Sequence, residues 1–245
     1  LLQLQVFLFM HFSGSIPLKG IMSNPKQLIF PFSLDKKSSI KKFFVPEGCA
    51  NLIAAIKDNN AGDIFLSGKK GVGKSYLLQA ACNDLSSSSF AAAYIPLSEA
   101  VKLKPELLDG LESLDLVCID DLNTICANRE WEVACFNLIN RCNDTGCRLI
   151  FSCSENEENF FPDLLSRIKK MTNYVLSPVQ DNQLNEAIKV ITLNLRIPIE
   201  DKEINFLLKT YTRDLATLIQ FIKKIDDHSM GSKRKITIPL IKELL

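Results

Sequence analysis

The run Gly68-Lys69-Lys70-Gly71-Val72-Gly73-Lys74-Ser75 has residue types suited to one task, holding the phosphates of a nucleotide. It fits G-x-x-x-x-G-K-[ST], the phosphate-binding P-loop. Gly68, Gly71 and Gly73, with Val72 among them, leave backbone N–H groups free to converge on phosphate oxygens, where side chains would block the approach. Lys74 is expected to reach the terminal phosphates and Ser75 to place its hydroxyl on Mg²⁺. Further along the chain, Asp120-Asp121 follows an apolar run. Asp120 is expected to hold Mg²⁺, directly or through water, and Asp121 to polarise an attacking water. The competing reading of each is a solvated carboxylate at a strand end.

Such a loop needs a strand before it and a helix after it. Asp63-Ile64-Phe65-Leu66-Ser67 is a short apolar run between Gly62 and Gly68. Beyond it, Leu77, Leu78, Ala81 and Cys82 have helical spacing, which predicts a helix from Ser75 to about Asp84. Its N-terminal N–H groups and dipole favour an anion. The same alternation continues on both sides. A helix is expected over 49–58, and strands over 91–95, 115–119, 147–152 and 174–176. Residues 98–112 read as one or two short helices and 161–170 as containing another. Over 129–143, Trp131, Cys135, Leu138, Ile139 and Cys142 repeat at three and four, which makes Trp131 a core residue of a helix. Strands alternating with helices imply right-handed crossovers and a parallel sheet covered on both faces. The Asp120 strand would then end beside the P-loop, at the sheet edge where ligands bind.

After Ser177-Pro178 no strand pattern remains. Three groups of apolar residues mark helices: Leu184, Ile188 and Ile191; Ile204, Leu207, Leu208 and Tyr211; and Leu215, Leu218, Ile219, Ile222 and Ile225. Pro239 introduces a last one with Leu240, Ile241 and Leu244. We divide the chain into an extension (1–21), a tail (22–48), a nucleotide-binding α/β domain (49–177) and a helical domain (178–245).

Bulk properties narrow the function classes. The 245 residues are 47% apolar, enough for a full core, and the formal net charge is +1, so no global field draws the chain to nucleic acid or anionic lipid. Lys233-Arg234-Lys235 reads as a solvated loop rather than a basic patch. None of the eight cysteines forms C-x-x-C, and the two histidines lie far from any cysteine cluster, so zinc is not expected. So few histidines also weaken a Ser-His-Asp or Cys-His reading. A reducing cytoplasm is the expected setting.

The first 21 residues are apolar up to Phe12 apart from Gln3, Gln5 and His11, too short a run to span a membrane and without a basic n-region before it. They are set outside the fold, as an extension that need not be native. In the tail, Gln27-Leu28-Ile29-Phe30-Pro31-Phe32 is an apolar hexamer that Pro31 keeps extended. Two readings fit it equally: an edge strand on its own domain, or a docking peptide anchored by Leu28, Phe30 and Phe32.

The ordered set of motifs resembles the AAA+ ATPases, and among them the DnaA-related group, with the Hda branch of DnaA-regulatory inactivators most similar. The likeness covers roughly residues 24–245. It is carried by Leu77-Leu78-Gln79-Ala80-Ala81-Cys82, Tyr94-Ile95-Pro96-Leu97, Leu108-Asp109-Gly110 and Leu116-Val117-Cys118-Ile119-Asp120-Asp121. Trp131-Glu132, Pro162-Asp163-Leu164-Leu165-Ser166-Arg167 and Ile236-Thr237-Ile238-Pro239 complete it. The resemblance implies an AAA+ parallel sheet with a small all-helical lid, and ADP or ATP with Mg²⁺ as ligands. It makes Gln27 to Phe32 similar to the peptide that binds the sliding clamp, the beta subunit of DNA polymerase III. Arg167 matches an arginine finger acting in trans, and Arg213 the lid's sensor arginine. Ser152 or Ser154 matches a polar sensor after the fourth strand. The implied partners are DnaA, the clamp, and DNA indirectly through the clamp; a homo-oligomer is compatible, and no membrane is implied. The chain is also expected to end with the lid, without DnaA's DNA-binding domain. Asp121 stands where AAA+ enzymes usually have Glu. An autonomous ATPase, such as a short initiator paralogue or helicase-loading factor, is the alternative.

Overall fold

The computed structural model describes residues 35, 38–87, 89–154 and 160–245. The extension at 1–21 and the hexamer at 27–32 lie outside the described residues.

Five strands form one sheet: β1 (Ile64–Ser67), β2 (Ala92–Pro96), β3 (Leu116–Asp120), β4 (Arg148–Cys153) and β5 (Thr172–Val175). All neighbours are parallel, in the order β2-β3-β4-β1-β5. β3 and β4 are buried along their whole length, as continuous apolar runs must be when helices cover both faces. Alternate side chains point to opposite faces, so each strand feeds two cores. Phe65, Val117, Ile119 and Phe151 pack on one face with Trp131, Leu138 and Leu164. Ile64, Leu66, Cys118 and Ile150 pack on the other with Leu77 and Leu78.

The covering helices are α1 (Ala50–Lys57), α2 (Lys74–Leu85), α3 (Leu97–Ala100), α4 (Arg129–Thr145) and α5 (Pro162–Ile168). Trp131 is a core residue of α4, as its spacing implies. Residues 98–112 are more broken than expected, since α3 gives way to 3₁₀ turns at Pro105–Leu108 and Leu111–Ser113. Pro105 supplies no N–H to continue a helix, and Gly110 turns the chain at φ +86°. β5 starts earlier than the apolar residues suggest, because Thr172 pairs with Ile64 at the sheet's edge.

From Leu184 on, every regular element is helical: α6 (Leu184–Leu195), α7 (Asp201–Thr210), α8 (Leu215–Ser232) and α9 (Ile238–Leu244). They share a core of their own, including Ile188, Ile204, Leu207, Leu218, Ile222 and Leu240. Capping sets two of the starts. Asp214 accepts from the Thr217 N–H (2.8 Å) at α8, and Thr237 caps α9 with Pro239 in its first turn. Tyr211 departs from the expected apolar face of α7. It lies just past the helix end, 43% exposed, and stacks on Phe221 at 4.5 Å between centroids.

Candidate nucleotide site

The P-loop leaves β1, the strand between β4 and β5, and delivers Lys74 and Ser75 into the first turn of α2. Two of its glycines are required by their surroundings. A Cβ on Gly68 would stand 2.5 Å from the Leu176 carbonyl oxygen. Gly73 has φ +104°, and a Cβ there would stand 2.9 Å from Phe43. Lys74 is buried, and its Nζ donates to the carbonyl oxygens of Gly68 (2.7 Å) and Lys69 (3.0 Å). The ammonium thus lies along the loop, where the N-terminus of α2 adds its partial positive charge.

Asp120 ends β3, with β4 between it and the loop strand. Its carboxylate is 2% exposed and held from both neighbouring strands. Oδ2 accepts from the Tyr94 hydroxyl on β2 (2.7 Å), and Oδ1 accepts from the Ser152 hydroxyl on β4. Ser152 Oγ in turn accepts from the Asp121 N–H (3.0 Å). Ser152, rather than Ser154, is therefore the serine that meets the Asp120 carboxylate. The Ser154 N–H instead donates to Asn123 Oδ1 at 2.9 Å.

Asp121 sits at φ 57°, in the left-handed region, where functional sites often hold a strained residue. Burial pushes its carboxyl above the usual range, and the charge of Asp120 pushes the same way. Lys74 and Lys70 partly oppose them. The donor set fits Mg²⁺: a hydroxyl at Ser75, a carboxylate at Asp120 and hard phosphate oxygens, with water completing the shell. Among the described residues no cluster of three His, Cys, Asp or Glu side chains could hold a metal alone.

Beside the loop lies a cavity of about 590 Å³, in the range of small-molecule sites. Gly71 to Gly73 form its phosphate end, and Phe43, Val179, Ile191, Leu215 and Ile219 supply apolar wall. Phe43 was not legible as a site residue. It gets there because the preceding segment is strapped onto α2: Asn83 donates to the Ser38 carbonyl (2.9 Å) and Asp84 accepts from the Ile40 N–H (2.8 Å). Phe43 then stacks on Tyr76 at 5.8 Å. An aromatic pair, Phe43-Phe44, just ahead of the first helix was the available signal.

The two arginines lie apart from this cavity. Arg213 is not among its lining residues; its Nη1 pairs with Asp181 Oδ2 at 2.5 Å, on an exposed side chain. Arg167, in the last turn of α5, stacks over Phe136 of α4 at 5.5 Å from the ring centroid. Its Nε is buried with no hydrogen-bond partner among the described residues. Phe136 meets Phe161 edge-on at 5.9 Å, and Arg129 covers Phe161 at 3.8 Å. Two guanidinium groups and two rings thus make one layer on the α4–α5 face.

Residues 181–245 match the family model of the Hda lid domain. Over the rest of the chain the likeness is one of fold. Its fold is similar to domain III of the Thermotoga maritima replication initiation protein DnaA. That likeness has a TM-score of 0.74 at 20% identity and covers 87% of this chain and 98% of that one. Similarity to AMPPCP-bound DnaA from Aquifex aeolicus covers 78% and 66% of the two chains, with a TM-score of 0.63 at 20% identity. A point mutant of Thermotoga maritima RuvB gives 0.61 at 18% identity over 84% and 70%. The chain thus has the five-stranded parallel sheet of the DnaA and RuvB fold, followed by helices that match the Hda lid model.

Proposed function

We propose that this chain regulates replication initiation in the cytoplasm by promoting hydrolysis of ATP bound to DnaA. In this reading, residues 49–177 bind ADP or ATP with Mg²⁺ through Lys74, Ser75 and Asp120. Residues 178–245 close over the nucleotide as the lid. Gln27, Leu28, Phe30 and Phe32 dock the tail on the DNA-loaded sliding clamp. Arg167 enters the ATP site of a neighbouring DnaA and stabilises charge on its γ-phosphate. Arg213 leaves Asp181 to meet the chain's own nucleotide when the lid closes.

The observation that carries this reading is the Hda-type lid on a fold that keeps Arg167 on a face away from its own nucleotide cavity. A guanidinium outside its own chain's nucleotide cavity suits an acceptor supplied by another. The alternative, an autonomous ATPase, draws support from the intact Lys74 and the buried Asp120.

Turnover separates the two. DnaA mixed with clamp, DNA and this chain is expected to hydrolyse ATP far faster than DnaA without the chain, while the chain alone turns over little. Replacing Leu28 and Phe32 by Ala should remove most of that stimulation, because a few buried anchors dominate peptide interfaces. High turnover by the chain alone, with none added to DnaA, would favour the alternative.

A further inference from the structure

We propose that Tyr94 is a positioning residue for Mg²⁺, setting the geometry of Asp120 from the next strand. This inference rests on the nucleotide-site reading above and extends it to a residue that touches neither phosphate nor metal. Tyr94 and Asp120 reach the same sheet edge because β2 and β3 are parallel and in register, with Tyr94 paired to Cys118 and Pro96 to Asp120. The tyrosine is two pairs short of the aspartate, on the same face, and its long side chain spans that offset. The result is the 2.7 Å bond to Asp120 Oδ2.

The bond is one of a pair. With Ser152 on Oδ1 and Tyr94 on Oδ2, the carboxylate is gripped from the strands on either side and cannot rotate about its terminal torsion. Each carboxylate oxygen has about two acceptor sites, so roughly half the capacity of Asp120 stays available for a metal or its water. Gln79 on α2 is a polar neighbour of the phenol. Hydrogen bonds to a ligating carboxylate orient it, and losing one typically weakens metal binding by about 10–100-fold. A phenol that only satisfied its own hydroxyl in the core would affect stability and leave metal binding alone.

The test is binding of mant-ADP, read by fluorescence, across a Mg²⁺ titration. Wild-type protein should bind more tightly as Mg²⁺ rises. In Tyr94→Phe the Mg²⁺ midpoint should move roughly 10–100-fold higher. Affinity without Mg²⁺ and melting temperature should stay close to wild type. Gln79→Leu, which keeps the phenol but removes its polar neighbour on α2, should shift the midpoint in the same direction by less, and it serves if Tyr94→Phe fails to fold. An unchanged or lower midpoint in the folded variants overturns the role of Tyr94 while leaving the nucleotide site standing. Wild-type protein that binds no mant-ADP at any Mg²⁺ concentration overturns both.

Discussion

The nucleotide end and the α4–α5 face hold their cations in opposite ways. At the nucleotide end Lys74 is buried and bonded to two loop carbonyls, and Asp120 is gripped by two hydroxyls. Both charged groups there have polar partners supplied by their own chain. On the α4–α5 face Arg167 lies against a ring, with its Nε unpaired among the described residues. Stacking fixes the plane of a guanidinium while using few of its donors, and the interaction contributes about 0.5–2 kcal/mol depending on desolvation. A buried N–H without an acceptor is costly, by about 1–3 kcal/mol. One end thus satisfies its charges with its own chain's polar groups, and the other leaves a stacked guanidinium with a donor unmet.

Breaking the second end should produce the largest effect. Arg167→Ala is expected to lower stimulation of DnaA-bound ATP hydrolysis by about 10³-fold or more, the range of finger arginines. Nucleotide-dependent melting shifts of the chain itself should persist. Arg167→Lys should rescue poorly, because an ammonium lacks the planar fork. Steady-state hydrolysis assays and thermal melts on the same preparations check both halves.

Breaking the first end has a smaller, different signature. Lys74→Ala should remove the stabilisation by nucleotide, which at a ligand concentration roughly 100 times Kd is about 2.7 kcal/mol for a native-state ligand. The variant's melting temperature without nucleotide should change little by comparison. A variant that still shifts with ADP would move the phosphate site away from this loop.

Much of this architecture was legible because the physical signal is local. A P-loop flanked by Ile64-Phe65-Leu66 and by Leu77-Leu78 fixes strand, turn and helix within about twenty residues. Buried parallel strands read as apolar runs, so β1 to β4 could be found, whereas β5, exposed at the edge, was displaced by its pairing with β1. What could not be read depends on contacts across the chain. The sequence leaves Ser152 and Ser154 equivalent, and only the register of β4 on β3 brings Ser152 to Asp120. Arg213 looks like a nucleotide ligand in its motif, but its pairing with Asp181 follows from how the chain enters α6. Tyr94 reads as one more strand residue until β2 is paired with β3.

The smallest expected effect sharpens the picture of the nucleotide end as a place of concentrated charge. Asp121 has a folded carboxyl raised above its ordinary value of 3.8, mainly by burial and then by Asp120. The ionised form is therefore disfavoured in the fold, and stability falls as pH rises from below 3.8 through the raised value. Asp121→Asn, which also tolerates the left-handed backbone, should melt slightly higher than wild type at neutral pH, with the gap closing as pH falls through that window. Equal melting temperatures at neutral pH would remove this charge conflict from the account.

The central claim concerns whose ATP is hydrolysed. Labelled ATP can be loaded on DnaA, with unlabelled ADP on this chain, and followed through a single turnover with clamp and DNA present. Rapid release of labelled phosphate from DnaA is expected with wild-type chain, and the slow intrinsic rate with Arg167→Ala. Rapid turnover only when the label is carried by this chain, at a rate that rises with the chain's own concentration, would contradict that claim.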